Sequence, residues 1–151
     1  MMITAGDIMT RQVVTLRPEE SAEAAAQKLI DHGVSAAPVV DDAGCLVGIL
    51  SEGDFVAYPS KTGVKGRWLR FLYDQPEPRL EDLASSRRMR VGHLMTRDVV
   101  AVADNTPIDV VARLMTRRRV KRLPVIRDGK LAGIVSRVDL LAALIAVTHP
   151  D

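Results

Sequence analysis

Ser51 and Asp54, and again Ser136 and Asp139, stand three residues apart at the end of an apolar run, in Gly48-Ile49-Leu50-Ser51-Glu52-Gly53-Asp54 and Gly133-Ile134-Val135-Ser136-Arg137-Val138-Asp139. A Ser-x-x-Asp pair that opens a helix is a capping box, whose side chains satisfy backbone N–H groups at the helix N-terminus. The same place is an anion site, because those N–H groups and the positive end of the helix dipole point outward. An aspartate there can also accept hydrogen bonds from a ribose diol. From these residues alone, cap and ligand site are both open readings. Upstream, Val120-Lys121-Arg122-Leu123-Pro124 carries two cations where the matching stretch Val34-Ser35-Ala36-Ala37-Pro38 has none. Successive strand residues face opposite sides, so Lys121 and Arg122 serve two pockets, or one is solvated while the other binds. A charge-assisted bond to phosphate contributes about 1.5–3 kcal/mol, enough to set affinity where a cation lines a cleft.

Other chemistries find little support. The chain has no Gly-x-Ser-x-Gly, His-Glu-x-x-His, Cys-x-x-Cys, Gly-x-Gly-x-x-Gly or Walker-type stretch, so no enzymatic activity is expected. Cys45 is the single cysteine and sits beside a turn, where it reads as a surface thiol. His32, His93 and His149 are widely spaced without a ligand-type pattern, and no metal is expected.

The elements that must position these residues come in two copies. Ala5 to Val14 returns as Val91 to Val100, and Val34 to Val40 as Val120 to Ile126, both displaced by 86 positions; Gly48 to Asp54 returns as Gly133 to Asp139 at a displacement of 85. Three blocks in one order mean a duplicated unit, and a cleft is expected between the copies. Each copy reads as strand, helix, strand, turn, strand, helix. Ala22, Ala25, Ala26, Leu29 and Ile30 form an apolar helical stripe that Gly33 can close. Ile108, Val111, Ala112 and Met115 repeat it, with Thr106 and Pro107 as N-cap and first helical residue. The runs Ala37–Val40 and Cys45–Leu50, and Leu123–Ile126 and Leu131–Val135, read as hairpins. Asp54 to Tyr58 and Asp139 to Val147 read as closing helices. The division expected is repeat 1 over 1–58, an insertion over 59–88 with a short helix near Trp68 to Leu72, and repeat 2 over 89–151.

At 151 residues the chain can bury a core without metal or disulfide. No apolar stretch is long enough to span a bilayer, and a soluble, cytoplasmic protein without membrane contact is expected. The net charge of +2 is uneven: Lys61 to Arg90 holds eight Lys/Arg against four Asp/Glu, and Arg117-Arg118-Arg119 precedes Lys121-Arg122. Solvated faces explain these clusters more simply than nucleic acid, since few aromatics are interleaved for stacking.

Met-Thr-x-x-Val-Val, an amphipathic helix, Pro-Val-Val/Ile, a turn and Gly-Ile-Leu/Val-Ser-x-x-Asp, given twice, resemble a tandem pair of cystathionine β-synthase (CBS) domains. The resemblance implies an α/β (α+β) fold of two βαββα repeats packed through their sheets about a pseudo-twofold axis, with two clefts that commonly bind adenosine compounds, and pairs that commonly dimerise. Carried over, the family pattern implies one pocket of Ser136 and Asp139 with Val34, Ser35, Ala36 and Pro38, and Ile8 near the base. The other has Ser51 and Asp54 with Val120, Lys121 and Arg122, and Leu94 near the base. The pockets should be unequal, with the Asp139 pocket favoured, since Glu52 sets a carboxylate where Arg137 stands in repeat 2. The function expected is a regulatory module that senses AMP, ADP or ATP, with S-adenosylmethionine or NAD less favoured and no required cofactor, signalling to a protein target in trans. A homodimer is expected, through the stripe of Ala22, Ala26 and Leu29. The alternatives are a ligand-independent dimerisation scaffold and, less favoured, a nucleic-acid-binding protein.

Overall fold

The computed structural model describes residues 2–56 and 89–148; the expected helix near Trp68 lies outside them. The chain forms two compact units, unit 1 from Met1–Val13, Ala43–Leu46 and Val100–Asp151, and unit 2 from Val14–Asp42 and Val47–Val99. These boundaries do not follow the sequence repeats. The first segment of each repeat folds into the unit built by the body of the other.

Unit 2 contains α2 (Ala22–Asp31), the hairpin β1 (Ala36–Val40) and β2 (Leu46–Ser51, in this unit from Val47 on), α3 (Glu52–Val56) and α4 (Val91–Leu94). Unit 1 contains α1 (Ala5–Ile8), β3 (Val102–Ala103), α5 (Ile108–Arg118), β4 (Arg122–Arg127), β5 (Lys130–Ser136) and α6 (Arg137–Thr148). The mixed helix-and-strand class is as expected, but the opening strand of each repeat is reduced. In repeat 2 it is the two-residue β3, parallel to β4; in repeat 1 it is a single parallel bridge from Leu16 to Val39. The short helices α1 and α4 precede these bridges and were not foreseen. Thr4 opens α1 with a capping box of its own, its N–H and hydroxyl donating to Asp7 Oδ2 at 2.9 and 3.0 Å. Those two bonds, the backbone one first, hold the Asp7 carboxyl below its usual pKa.

Ser21 caps α2, accepting from the Ala24 N–H at 3.1 Å, and Gly33 follows its C-cap at φ +63°. Ala22, Ala25 and Leu29 are buried, packed with Leu16, Val39, Leu50 and Leu94. The last residue of the expected stripe, Ile30, is 72% exposed: the stripe drifts off the core face at the final turn. Because Ala22 and Leu29 are spent on the core of unit 2, they do not form the surface expected for self-association. Pro107 is the N-cap of α5, one position later than read from the sequence. In unit 1, Val111, Met115, Leu123, Val125 and Val135 pack with Ala5, Met9 and Val102. The hairpin of β4 and β5 turns at Asp128-Gly129, both at positive φ (51° and 79°) as a two-residue primed turn requires.

The segment that crosses over is pinned to the strand before each Ser-x-x-Asp. The Thr10 N–H donates to the Ile134 carbonyl at 2.8 Å and Ile134 returns the bond at 3.0 Å; Thr96 and Ile49 do the same in unit 2 at 2.9 Å each. Glycine in the repeated Gly-Ile-Leu/Val-Ser block permits this approach. A Cβ on Gly133 would lie 2.6 Å from Met9 Sδ and 2.7 Å from the Thr10 carbonyl oxygen, and one on Gly48 2.5 Å from Met95 Sδ. Neither glycine has positive φ, so space and not backbone conformation selects them.

Candidate functional site

In unit 1, β4 and β5 are antiparallel, and their register sets Arg122 opposite Ser136. One residue further, the Arg137 N–H donates to the Lys121 carbonyl at 3.2 Å. The cation pair therefore sits at the same end of the hairpin as Ser136 and Asp139, where α6 begins. Asp139 folds back on the turn: the Ser136 N–H and hydroxyl donate to Asp139 Oδ2 at 2.8 and 3.0 Å, and the Asp139 N–H points to Ser136 Oγ at 3.4 Å. Among the described residues, the second carboxylate oxygen, Oδ1, has no hydrogen-bond donor within the chain. Asp139, Ser136 and Arg122 are half-buried and Lys121 and Arg137 exposed. Ile8, Val120 and Leu140 are half-buried side chains of one apolar cluster. The sequence had not singled out Arg137 as a site residue. Its signal was its place inside the Ser-x-x-Asp motif, which a hairpin register sets against Lys121.

Unit 2 repeats the scaffold with other chemistry. The Glu52 N–H donates to the Ser35 carbonyl at 2.8 Å, and the Ser51 N–H and hydroxyl donate to Asp54 Oδ2 at 2.8 and 3.3 Å. Here Oδ1 is occupied, by a long 3.5 Å bond from the Thr96 hydroxyl. Asp54 is only 6% exposed, and Leu94, Ala36 and Pro38 are buried in the core, while Val34 stands at the surface and Ser35 is half-buried. Glu52 places a carboxylate where unit 1 has the guanidinium of Arg137.

Lys121, Arg122 and Val120 go with Ser136 and Asp139 in unit 1; Val34, Ser35, Ala36 and Pro38 go with Ser51 and Asp54 in unit 2. The cause is the hairpin itself: two strands joined by a tight turn pair with each other, so the strand through each proline must run beside the strand that ends in Ser-x-x-Asp of the same repeat. Ile8 lies in the unit of Asp139 and Leu94 in the unit of Asp54. Among the described residues no cluster of His, Cys, Asp or Glu is arranged to hold a metal, and no helix is long and apolar enough to cross a membrane.

A duplicated helix–hairpin–helix unit whose hairpin ends in Ser-x-x-Asp defines a class, and comparison with known proteins agrees. The CBS domain family matches residues 5–61 and 91–146, and the chain belongs to that family as a tandem pair. The chloroplastic CBS domain-containing protein CBSX2 of Arabidopsis thaliana is 32% identical over 159 residues, covering 95% of this chain and 64% of its own length. This chain thus spans a little under two thirds of that relative. The uncharacterized protein MJ1426 of Methanocaldococcus jannaschii is 34% identical over 155 residues, covering 92% of this chain and 89% of its own. Among solved structures, CBSX2 in complex with AMP is similar with a TM-score of 0.75 at 30% identity, over 97% of this chain and 99% of that one. The CBS domain pair of MJ0100 in complex with 5′-methylthioadenosine and S-adenosyl-L-methionine gives a TM-score of 0.69 at 25% identity, over 95% of this chain and 97% of that one.

Proposed function

We propose that the chain is a regulatory module that binds an adenine nucleotide at the Asp139 site of unit 1 and passes its state to a separate protein, without performing chemistry. The observation that carries this reading is the uncommitted Oδ1 of Asp139, beside the hairpin end that holds Lys121, Arg122 and Arg137. A carboxylate oxygen without a donor suits a ribose diol. Cations beside the N-terminus of the 12-residue helix α6 suit a phosphate, with the half-buried Ile8 and Val120 as an apolar surface for a base. The AMP held by CBSX2 and the adenosine ligands held by MJ0100 support the same class of ligand.

AMP, ADP or ATP is therefore preferred over S-adenosylmethionine, whose sulfonium would meet like charge, and over NAD. The unit 2 site is the weaker one, since Glu52 repels phosphate and Asp54 is enclosed. Titration calorimetry with AMP, ADP, ATP, S-adenosylmethionine and NAD tests the reading, together with melting in the presence of each ligand. A ligand at about 100 times its Kd should add about 2.7 kcal/mol of stability. No heat and no stabilisation from any adenine nucleotide at millimolar concentration refutes nucleotide sensing and leaves a scaffold. Binding to DNA or RNA that falls steeply with salt would instead favour a nucleic-acid role.

A further inference from the structure

Unit 1 and unit 2 are built on one pattern but carry opposite charge. Among the described residues, unit 1 has ten Lys/Arg against five Asp/Glu, and unit 2 has four against nine. The excess in unit 1 is densest where α5 ends, at Arg117, Arg118 and Arg119, all three exposed. One turn earlier, Arg113 is paired with Asp109 at 3.0 Å. The side chains of Arg117, Arg118 and Arg119 have no hydrogen bond or ion pair among the described residues. A helix C-terminus favours cations, yet this helix does not need three of them: its twin α2 closes through Asp31, His32 and Gly33 at the same three places. Arg119 also takes the left-handed conformation, at φ 54°, where the twin has Gly33 at φ 63°. A guanidinium is thus held where any side chain costs backbone energy.

We propose that Arg117, Arg118 and Arg119 dock a short run of Asp and Glu on the separate protein that the module regulates. This rests on the reading that the chain acts on a separate protein, and not on which ligand fills the Asp139 site. Guanidinium groups match carboxylates with paired donors, and exposed, unpaired ones give up no internal partner on binding. The distribution of charge selects a short protein segment over other polyanions. A nucleic acid or an anionic bilayer is wider than one unit, so it meets the excess of carboxylates in unit 2 as well. A short run stays at the end of α5, where screening at physiological salt confines the field of exposed charges to about 8 Å. The insertion of this chain does not fit the place, because Lys61 to Arg90 is itself basic. A second copy fits it poorly, since in unit 2 Glu19 and Asp42 already pair with Arg17, and Glu20 with Lys28.

Fluorescence anisotropy without nucleotide tests this, with labelled hexaglutamate and hexaglutamine peptides as probes. Wild type should bind hexaglutamate, more weakly as salt rises, and ignore hexaglutamine. The triple variant Arg117→Gln, Arg118→Gln, Arg119→Gly should lose about tenfold or more of that affinity. The triple variant Arg11→Gln, Arg127→Gln, Lys130→Gln removes the same charge elsewhere on unit 1 and should lose less than about threefold. No binding of hexaglutamate, an equal loss in both variants, or tighter binding to a single-stranded oligonucleotide or to phosphatidylserine vesicles overturns the proposal. Should the first variant fail to fold, a photoactivatable hexaglutamate decides on the wild type: cross-links at the end of α5 support the docking site, and cross-links only elsewhere overturn it. Calorimetry with AMP keeps this apart from nucleotide sensing. Wild type that binds no AMP refutes sensing and leaves the anisotropy result standing, whereas an AMP loss in the first variant as large as its peptide loss assigns the arginines to the nucleotide and overturns the docking site.

Discussion

Asp139→Asn separates a helix cap from a ligand site, because the chain contains its own control. Thr4 and Asp7 form a capping box with bonds of 2.9 and 3.0 Å; Ser136 and Asp139 form one with bonds of 2.8 and 3.0 Å. The two differ in their surroundings, since only Asp139 stands at a hairpin end with three cations. An asparagine keeps an oxygen for the N–H, so the cap contribution at Asp139 should fall by a fraction of the ~0.5–2 kcal/mol typical of capping residues. The ribose contribution is different in kind. Replacing a charged acceptor by an amide, one of whose terminal atoms donates, should remove about 1.5–3 kcal/mol of binding, a loss of about ten- to a hundredfold in AMP affinity. Calorimetry and thermal melting of wild type, Asp139→Asn and Asp7→Asn are the assay. Asp7→Asn should lower the melting temperature slightly and leave AMP affinity unchanged, whereas Asp139→Asn should show both a small stability loss and the large affinity loss. AMP affinity of Asp139→Asn within about threefold of wild type, with a lowered melting temperature, would show that Asp139 is an ordinary cap and that the site lies elsewhere.

Gly133→Ala forces a Cβ to within 2.7 Å of the Thr10 carbonyl oxygen and 2.6 Å of Met9 Sδ; a loss of about 1–3 kcal/mol, the range of overpacked cores, is expected in urea unfolding, and no loss would mean that the crossing segment is not held at this strand. Arg119 ends α5 in the left-handed region, at φ 54° and ψ 45°, where its counterpart in repeat 1 is Gly33. Arg119→Gly removes a strain of about 1–2 kcal/mol but adds unfolded-state freedom worth about 0.5–1, so a net gain of about 0.5–1 kcal/mol is expected, read as a higher urea midpoint. Asp7 has a folded-state pKa below its unfolded value, so its contribution is complete above the ordinary aspartate pKa of about 3.9 and is lost as pH falls through the lowered value. Acid unfolding of Asp7→Asn should consequently show a weaker pH dependence below that point than wild type; an identical profile would refute the assignment.

The duplication, the α2 stop at Gly33 and both hairpins were legible because each is a local pattern of spacing or turn chemistry. The crossing of the first segments was not. Thr10 meets Ile134 through one bridge across more than a hundred residues, and a single bridge leaves no periodicity to read. A trace of it was nonetheless present: glycine inside an apolar strand marks a close approach of other backbone, and Gly48 and Gly133 recur together with the Met-Thr pairs that approach them. Ile30 was misplaced for a different reason, since a stripe read at ideal spacing does not show where a helix leaves the core.

The make-up of the Asp139 site turns on one residue that no pattern announces. From a two-residue turn at Asp128-Gly129, a regular antiparallel ladder pairs Arg127 with Lys130 and would set Arg122 opposite Val135, an apolar residue buried on the core face. The ladder is not regular: Ile126 pairs with Leu131 but Val125 with Gly133, so Ala132 is an extra residue in β5 and everything beyond it shifts by one. Arg122 then meets Ser136. A slip of one position exchanges the two faces of a strand, so the bulge brings the cation pair to the Ser-x-x-Asp turn while Val135 stays in the core. Hairpin reasoning already requires Lys121 and Arg122 to lie beside Ser136 within their own unit. What it could not supply was the last residue of register, and the juxtaposition of Arg122 with Ser136 depends on that residue.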